Sequence, residues 1–173
     1  YAKILSSASV EAATLANNHS QDYGQTGYDD TIAALDAEGV QSFGYDRIAY
    51  LDVKGVKVAL IGSYFPEDSA ENTKEMTDNI AAARAEDAQL VIVYVHWGQE
   101  HEYDITEGQQ TAGRAAIDAG ADVVVGSHPH VVQGWEVYQG RYIVYSLGNF
   151  CFGGNTNPDD KDCLIFQQTF TVT

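Results

Sequence analysis

The sequence predicts an α/β fold in which two packed mixed β-sheets are flanked by helices. Apolar, strand-like runs alternate with helical segments through the first two thirds of the chain, and the last third is rich in strand signals. With 173 residues and 45% hydrophobic content, the chain is long enough for one well-buried domain and too short for two. We therefore expect a single domain over residues 1–173.

A helix is predicted near the start of the chain, after a short strand within the run AATLA. Residues 27–38 (GYDDTIAALDAE) place Ile32 and Leu35 on one face. Gly39 follows directly, and glycine favours the left-handed backbone at which many helices end. The pattern therefore indicates an amphipathic helix that stops at Gly39.

A β-hairpin is predicted next. Residues 47–53 (RIAYLDV) and 56–62 (VKVALIG) read as strands, and Lys54-Gly55 between them suits a two-residue turn. So short a connection can join only antiparallel neighbours, because parallel strands need a crossover of a dozen or more residues.

Two helix–strand units follow the hairpin. A helical segment at 73–87 leads into the apolar run QLVIVYV at 89–95, and a second at 106–119 leads into ADVVVG at 121–126. Both runs are followed by histidines, namely His96, His128 and His130. Because α/β sheets build binding crevices at the carboxyl ends of their strands, we expect these histidines to line one crevice.

The last third of the chain is predicted to complete the sheet with antiparallel strands. GWEVY at 134–138 and RYIVYSLGNF at 141–150 flank a Gln139-Gly140 turn. The final run, CLIFQQTFTVT at 163–173, alternates polar and apolar residues near its end and reads as another strand.

The charge of the chain excludes some partners. Twenty-five acidic side chains against nine basic ones give a net charge of −16, which repels nucleic acid phosphates, so we expect no nucleic acid partner. The sequence contains no apolar run of about eighteen residues and no charged-then-apolar leader, so we expect no membrane span or signal peptide within it. Because the chain opens with Tyr1, any signal or anchor would lie in a preceding segment.

Two cysteines, Cys151 and Cys163, bracket a segment rich in glycine and aspartate. They would close this loop as a disulfide in an exported protein, or stay as free thiols in a reducing compartment, and the sequence leaves both alternatives open. Zinc-binding cysteines usually come in close pairs, so this spacing does not indicate a metal site.

The five histidines fall in three short polar clusters, NNH at 17–19, VHWGQEH at 95–101 and GSHPH at 126–130. Each cluster alone has an ordinary structural interpretation: an Asx-turn or helix cap, a hydrogen-bonded strand end, and a surface turn. Together they place imidazoles beside amides and carboxylates, which indicates a transition-metal site. We expect proline to keep GSHPH extended so that both imidazoles point to one side. We also expect Trp97 and Gly98 to shape the pocket.

The order and spacing of these clusters resemble a known family. LANNHSQDYG, VYVHWGQEHEY, GADVVVGSHPHVVQ and YIVYSLGNF occur together as in the CapA/PgsA-type poly-γ-glutamate capsule synthesis family, a branch of the calcineurin-like metallophosphoesterases. The resemblance covers nearly the whole chain. It implies the α-β-β-α sandwich of that superfamily and divalent metal ions, usually two, for which Mn, Fe and Zn are the candidates.

The resemblance also implies roles for particular residues. Four would be metal ligands: Asn18, His96, His128 and His130. His19 would donate a proton to the leaving group. Three more would contact substrate or orient the ligands: Glu100, Asp22 and Asn149.

The first two motifs of the superfamily, which carry carboxylate ligands, precede the Asn-His motif, and only sixteen residues precede Asn17. We therefore expect an N-terminally truncated domain that holds half of a two-metal site. Such a segment would bind metal weakly or not at all and would be inactive by itself. Its incomplete sheet would leave an exposed edge, through which we expect a homodimer to form.

Two functions stay open. The resemblance implies a component of poly-γ-glutamate biosynthesis or export that carries a phosphoesterase-like hydrolase site and acts on capsular polymer or another small anionic substrate. The alternative is a noncatalytic protein that binds the polymer or serves as a scaffold of the capsule synthesis complex. In both cases the family implies a location on the extracellular side of the cell membrane, with membrane synthase partners.

Overall fold

The computed structural model describes residues 1–66, 69–151 and 157–172. In chain order its helices and strands are α1 Ala2–Ser7, β1 Ala12–Thr14, α2 Gly24–Ala37, β2 Gln41–Phe43, β3 Ala49–Val53, β4 Val56–Tyr64, α3 Ala70–Ala85, β5 Leu90–His96, α4 Glu107–Asp118, β6 Val123–Ser127, β7 Trp135–Tyr138 and β8 Arg141–Val144. Six strands form a mixed sheet, and β1 and β2 form a separate parallel pair. The predicted α/β class with two sheets and flanking helices is confirmed.

The large sheet is parallel at its centre and antiparallel at its edges. Its strand order is β3-β4-β5-β6-β8-β7. The inner strands β4, β5, β6 and β8 are parallel, whereas β3 and β7 pair antiparallel with their neighbours. The carboxyl ends of β5 and β6 therefore lie side by side, where the loops after them can form a crevice.

The predicted hairpin is confirmed, and its turn shows why two residues suffice. Val53 lies opposite Val56 across the antiparallel pair. Lys54 and Gly55 have φ values of 57° and 82°, the left-handed backbone that a type I′ turn requires at both positions. The Gly55 amide also donates to Asp52 Oδ1 at 2.9 Å.

The predicted helices are confirmed with small shifts at their ends, and side chains cap two of them. Ser69 Oγ accepts a hydrogen bond from the Asn72 amide at the start of α3. At the start of α4, Thr106 Oγ1 accepts from the Gln109 amide while Gln109 Oε1 accepts from the Thr106 amide. This reciprocal capping box satisfies two amides that the first turn leaves without helical partners. The short helix α1 was not predicted.

Helices α3 and α4 cover one face of the large sheet, which we call the helix face. Four of its strand side chains are 0% exposed: Ile61, Val91, Val93 and Val95. They pack against buried side chains of both helices, among them Met76, Ile80, Ala112 and Ala116. The opposite face, which we call the site face, carries half-buried side chains at alternating positions: Leu60, Ile92, Tyr94 and His96.

The small sheet packs onto the site face at Gly62. A Cβ atom at Gly62 would collide with Thr14 Oγ1 and would lie 2.9 Å from Gly44 Cα, so only glycine permits this approach. The Tyr45 amide donates to the Gly62 carbonyl at 2.9 Å and joins the two sheets. This contact brings the loop that follows β1 to the carboxyl end of β5.

The strand predicted at the C-terminus is wrong over residues 163–172, and position 173 lies outside the described residues. There the described chain makes only an isolated bridge, between Cys163 and Gly148. Strand β8 already has β6 and β7 on its two sides, so it has no free edge at which this segment could pair. The segment instead lies beside the face of β7 and β8 that carries Trp135, Tyr142 and Val144. There Phe166 meets Tyr142 edge to face at 5.9 Å between ring centroids.

Cys151 and Cys163 are free thiols, and both are exposed. Of the two alternatives that the sequence left open, the structure therefore has the unbridged one. Within the described ranges, no helix is long and apolar enough to cross a membrane.

Candidate functional site

The carboxyl ends of β5 and β6 open into a cavity of about 450 Å³ on the site face. His96 lies opposite Ser127 in the parallel register of these strands, so the two loops begin at the same level of the sheet. The cavity is lined by side chains from four loops or strand ends, including Asn17, His96, His128, His130, Asn149 and Cys151. The three strand-end histidines expected to share one crevice therefore do so.

The GSHPH loop reaches the cavity through an unusual backbone. His128 has φ 100° and His130 has φ 60°, so the expected extended conformation of this loop is wrong. Both residues lie in the left-handed region, which costs a side-chain-bearing residue about 1–3 kcal/mol and is concentrated at functional sites. The two imidazole centroids are 6.2 Å apart. The strained backbone, rather than the proline alone, turns both rings toward one cavity.

His96 stands at the inner end of the cavity and contacts the loop after β1. Its Nε2 lies 3.0 Å from Asn18 Oδ1, and its Nδ1 lies 3.2 Å from Ser127 Oγ. Burial, reinforced by neighbouring histidines, lowers the pKa of His96 to about 3. The imidazole is therefore neutral at physiological pH, which is the form that binds metal ions.

His128 lies beside His96 with ring centroids 4.6 Å apart. Its Nδ1 is buried and makes no hydrogen bond within the described part of the chain. A buried polar atom without a partner is costly and calls for an explanation such as an ion. Burial also lowers the pKa of His128, against the opposing effect of the nearby Glu100 carboxylate, so this ring too favours its neutral form.

Asn149 holds His130 at two points. His130 Nδ1 lies 2.7 Å from Asn149 Oδ1, and Asn149 Nδ2 donates to the His130 carbonyl at 3.0 Å. An amide that grips one ring nitrogen fixes the orientation of the imidazole, which is how neighbouring groups commonly orient metal-binding histidines. The residue predicted to orient a ligand thus contacts one of the predicted ligands.

Glu100 brings a carboxylate close to two of the histidines that line the cavity. Three side chains each offer one possible metal-binding atom here: Glu100, His128 and His130. These three atoms all lie within 4.8 Å of one another. Glu100 belongs to the loop after β5, and the His101 amide of that loop donates to the Pro129 carbonyl at 2.8 Å. The two histidine-bearing loops are therefore joined beside this cluster.

The two asparagines of the loop after β1 make different contacts. Asn17 Oδ1 accepts from the His19 amide at 2.8 Å, which is the Asx-turn considered from the sequence. Asn18 instead points its amide oxygen at His96. The His19 ring is largely exposed, and its Nδ1 lies 2.9 Å from Asp22 Oδ2, so the predicted proton donor has a carboxylate that can orient it.

Trp97 does not wall the pocket, contrary to expectation. The strand period sends it to the helix face, where it is 1% exposed and its Nε1 donates to the Tyr145 carbonyl at 2.8 Å. Gly98 makes room for Gln109 rather than for a ligand, because a Cβ there would lie 2.8 Å from Gln109 Nε2.

Several residues of the site escaped the sequence interpretation. Cys151 lines the cavity, although its spacing from Cys163 suggested only a loop closure. Ser127 contacts His96, and the only signal for it was its place beside His128 at a strand end. Buried Gln133 donates to the Glu102 carbonyl at 2.9 Å and accepts from Gln109 Nε2 at 2.8 Å. This pair fixes the loop that carries Glu100, and nothing in the local pattern revealed it.

The donor set fits a divalent metal ion. It offers three imidazoles in one cavity, with an amide oxygen and one carboxylate close to them, and the buried Nδ1 of His128 lacks a hydrogen-bond partner within the described ranges. Imidazole and oxygen donors suit manganese, iron and zinc. The individual roles of these residues stay predictions.

Comparisons with known proteins agree with the geometry. The family described as "Bacterial capsule synthesis protein PGA_cap" matches residues 1–154. The chain is 36% identical over 169 residues to the "PGA biosynthesis protein CapA" of Bacillus subtilis (strain 168), covering 87% of the chain and 44% of that protein. It is 36% identical over 187 residues to the "Capsule biosynthesis protein CapA" of Bacillus anthracis, covering 94% of the chain and 45% of that protein. The chain thus spans less than half the length of either relative.

A solved structure shares the fold. The crystal structure of a hypothetical protein from Thermus thermophilus superimposes with a TM-score of 0.62 at 18% identity, over 84% of this chain and 56% of that one. At this identity the likeness concerns the arrangement of strands and helices alone.

Proposed function

Because the chain belongs to the bacterial capsule synthesis protein family, we propose that it works in the biosynthesis or export of a poly-γ-glutamate capsular polymer and carries a metal-dependent, phosphoesterase-like hydrolase site. The observation that carries the hydrolase part is the meeting of His96 and the GSHPH histidines in one cavity, with Asn18 in contact with His96. These residues come from three loops far apart in sequence, and hydrogen bonds and ring contacts link them. Structural histidines need no such convergence.

The residues that would hold metal ions are Asn18, His96, His128 and His130. When bound, divalent ions would supply charge neutralisation for a phosphoryl or similar group and would favour ionisation of an attacking water. His96 and His128 meet the requirement for neutral rings because burial lowers their pKa. Asn149 restrains the orientation of His130, and the strained backbone at His128 and His130 fixes their approach.

His19 is the proposed proton donor. Asp22 Oδ2 contacts its Nδ1, which orients the ring and leaves Nε2 as the atom that can carry a proton to a leaving group. The exposure of His19 suits this role, since a proton lost to product can be regained from solvent. In this arrangement the proposed ligands are half-buried, whereas the proposed acid is exposed to solvent.

The substrate in this proposal is the capsular polymer or another anionic molecule, with membrane synthase components as partners on the extracellular side. A net charge of −16 repels a free polyanion over most of the surface, so an anionic group would bind chiefly where metal ions reverse the local charge. This restricts productive contact to the histidine cavity.

The hydrolase proposal is tested with the complete protein and added Mn²⁺ or Zn²⁺. We expect cleavage of a generic phosphomonoester or phosphodiester that is lost in His128→Ala. The matched control is His101→Ala, because His101 is also a loop histidine, with its ring 6.3 Å from that of His130, and has no proposed ligand role.

Two outcomes would contradict the hydrolase proposal. Metal binding without turnover on either ester class would favour the noncatalytic polymer-binding or scaffold role. Equal turnover in His128→Ala and the parent protein would place the chemistry elsewhere.

A further inference from the structure

The candidate metal site raises a problem of charge. Imidazole and amide donors are neutral, whereas sites for divalent ions usually include an anionic ligand. Among the four predicted ligands, Asn18, His96, His128 and His130, none supplies a negative charge. The carboxylate-bearing motifs that the family resemblance implies would precede Asn17, so an anionic donor that this chain itself supplies must come from another loop of the fold.

We propose that Glu100 is a direct metal ligand and that, with His128 and His130, it forms a metal subsite carried entirely by this chain. The inference rests on the proposed metal-dependent function and extends it, because the family resemblance gave Glu100 only a place near substrate or behind the ligands. The geometry carries it: donor atoms of these three side chains lie within 4.8 Å of one another.

That spacing is close to the spacing of a formed site. Metal–nitrogen and metal–oxygen distances are about 2.0–2.2 Å, so two ligands of one ion lie at most about 4.4 Å apart. Small rotations of the three side chains would close the difference, and the Glu100 side chain is exposed. The two histidines would need no rearrangement of their backbone.

The backbone that carries Glu100 is held in place beside the histidines. The next residue, His101, has φ 64° and donates its amide to the Pro129 carbonyl between the two histidines. Two residues further on, the Glu102 carbonyl accepts from Gln133, which is 2% exposed. A loop fixed at both points keeps its carboxylate near the cavity before any ion arrives, which is the preorganisation that a metal site needs.

A second observation points to a ligand at the same place. His128 Nδ1 is buried without a hydrogen-bond partner among the residues that the structure describes. Burial leaves this nitrogen without water, so its lone pair or proton is unsatisfied. An ion bound at this nitrogen would satisfy the imidazole, and the nearby Glu100 carboxylate would compensate the charge of the ion.

The experiment is a Co²⁺ titration followed by visible absorption, a readout of ligand geometry that does not require activity. Glu100→Gln replaces the carboxylate with a neutral group of the same size. We expect about 10- to 100-fold weaker Co²⁺ binding and an altered absorption spectrum, since loss of an interaction at a metal centre commonly has an effect of that size. His130→Ala should weaken binding as well.

The matched control is Glu102→Gln, which removes the same charge from the same exposed loop. It should bind Co²⁺ like the parent protein, because only the backbone of Glu102 is used. Equal weakening in both glutamine variants would overturn the inference in favour of a diffuse attraction by the negative surface. Tight binding unchanged by Glu100→Gln would overturn the Glu100 role while leaving the proposed function intact. No Co²⁺ binding by the parent protein would overturn both.

Discussion

Along β4 and β5, neighbouring side chains lie on opposite faces of the sheet and differ in burial and in chemistry. Ile61 and Val93 on the helix face are 0% exposed and apolar, whereas Ile92 and His96 on the site face are half-buried. The helix face is closed by α3 and α4. The site face is covered near Gly62 by the small sheet and opens into the histidine cavity.

Because of this difference, alternate residues of a single strand serve the stability of the fold and the chemistry of the site. His96 and Trp97 are adjacent, yet one ring enters the cavity and the other enters the core. Because strand side chains alternate, a rigid apolar face can hold a polar face in position without sharing its residues. Substitutions on the helix face should therefore act on folding, and those on the site face should act mainly on metal binding.

The largest expected effect is on the free energy of unfolding, and it should differ between two isoleucines on opposite faces of the sheet. Ile61→Ala should lower the free energy of unfolding by about 2–5 kcal/mol, since it removes a fully buried side chain and leaves a cavity. Ile92→Ala should lower it by clearly less, because that side chain is already partly in water. Urea unfolding followed by circular dichroism measures both values.

An Ile92→Ala loss as large as that of Ile61→Ala would break the comparison, since it would mean that another surface covers the site face in solution. Light scattering on the parent protein would show whether that surface belongs to a second copy of the chain. A dimer that dissociates in Ile92→Ala would assign it to a second copy.

The next prediction concerns the small sheet and whether it positions the loop after β1, which carries Asn18. Gly62→Ala should lower the free energy of unfolding by about 1–3 kcal/mol, because the new methyl group collides with Thr14 and must push β1 away. The displacement should also separate Asn18 from His96 and weaken Co²⁺ binding. The control is Gly134→Ala, whose Cβ would meet only Ile105 Cδ1, at 3.7 Å. Full Co²⁺ affinity in Gly62→Ala would show that Asn18 is not held by this contact.

Asn149→Ala should change the free energy of unfolding less than the previous substitutions but should clearly weaken metal binding. Loss of the amide frees the His130 ring to rotate, which should weaken Co²⁺ binding by about 10- to 100-fold. The free energy of unfolding should change by only about 1 kcal/mol, the usual contribution of a hydrogen bond. Unfolding and Co²⁺ titrations on the same sample separate the two quantities. A large loss of stability with unchanged affinity would make Asn149 structural.

The helix face and the strand ends could be predicted from the sequence because their signals are local. The runs at 89–95 and 121–126 are too apolar to lie anywhere but in a buried sheet, and parallel strands bring their carboxyl ends together. The meeting of His96 with the GSHPH histidines follows from that rule. Turn chemistry at Lys54-Gly55 likewise fixed the hairpin.

The parts that could not be predicted depend on contacts between distant residues. The alternation near residues 163–172 looks like a strand, but whether an edge is vacant is a property of the whole sheet. Trp97 turns away from the face to which His96 turns because strand side chains alternate. Which face is core and which carries the cavity is set by the packing of α3 and α4 against the sheet. The approach of Glu100 to His128 needs the buried Gln109–Gln133 pair, which joins elements far apart in sequence.

The smallest predicted effect concerns the edge of the helix face, where apolar packing gives way to a polar cluster. Glu136 on β7 accepts two hydrogen bonds from Arg114 of α4 and one from the Tyr145 hydroxyl. The Arg114 hydrogen bonds lower the pKa of Glu136 below its unfolded value, so its contribution to stability is present at neutral pH and is lost as pH falls through the folded pKa. In urea unfolding, Glu136→Gln should destabilise the protein slightly at pH 7, and the difference should shrink toward pH 3. The exposed Glu75→Gln is the control. A difference that stays constant with pH would mean that packing, not the ionised carboxylate, closes this edge.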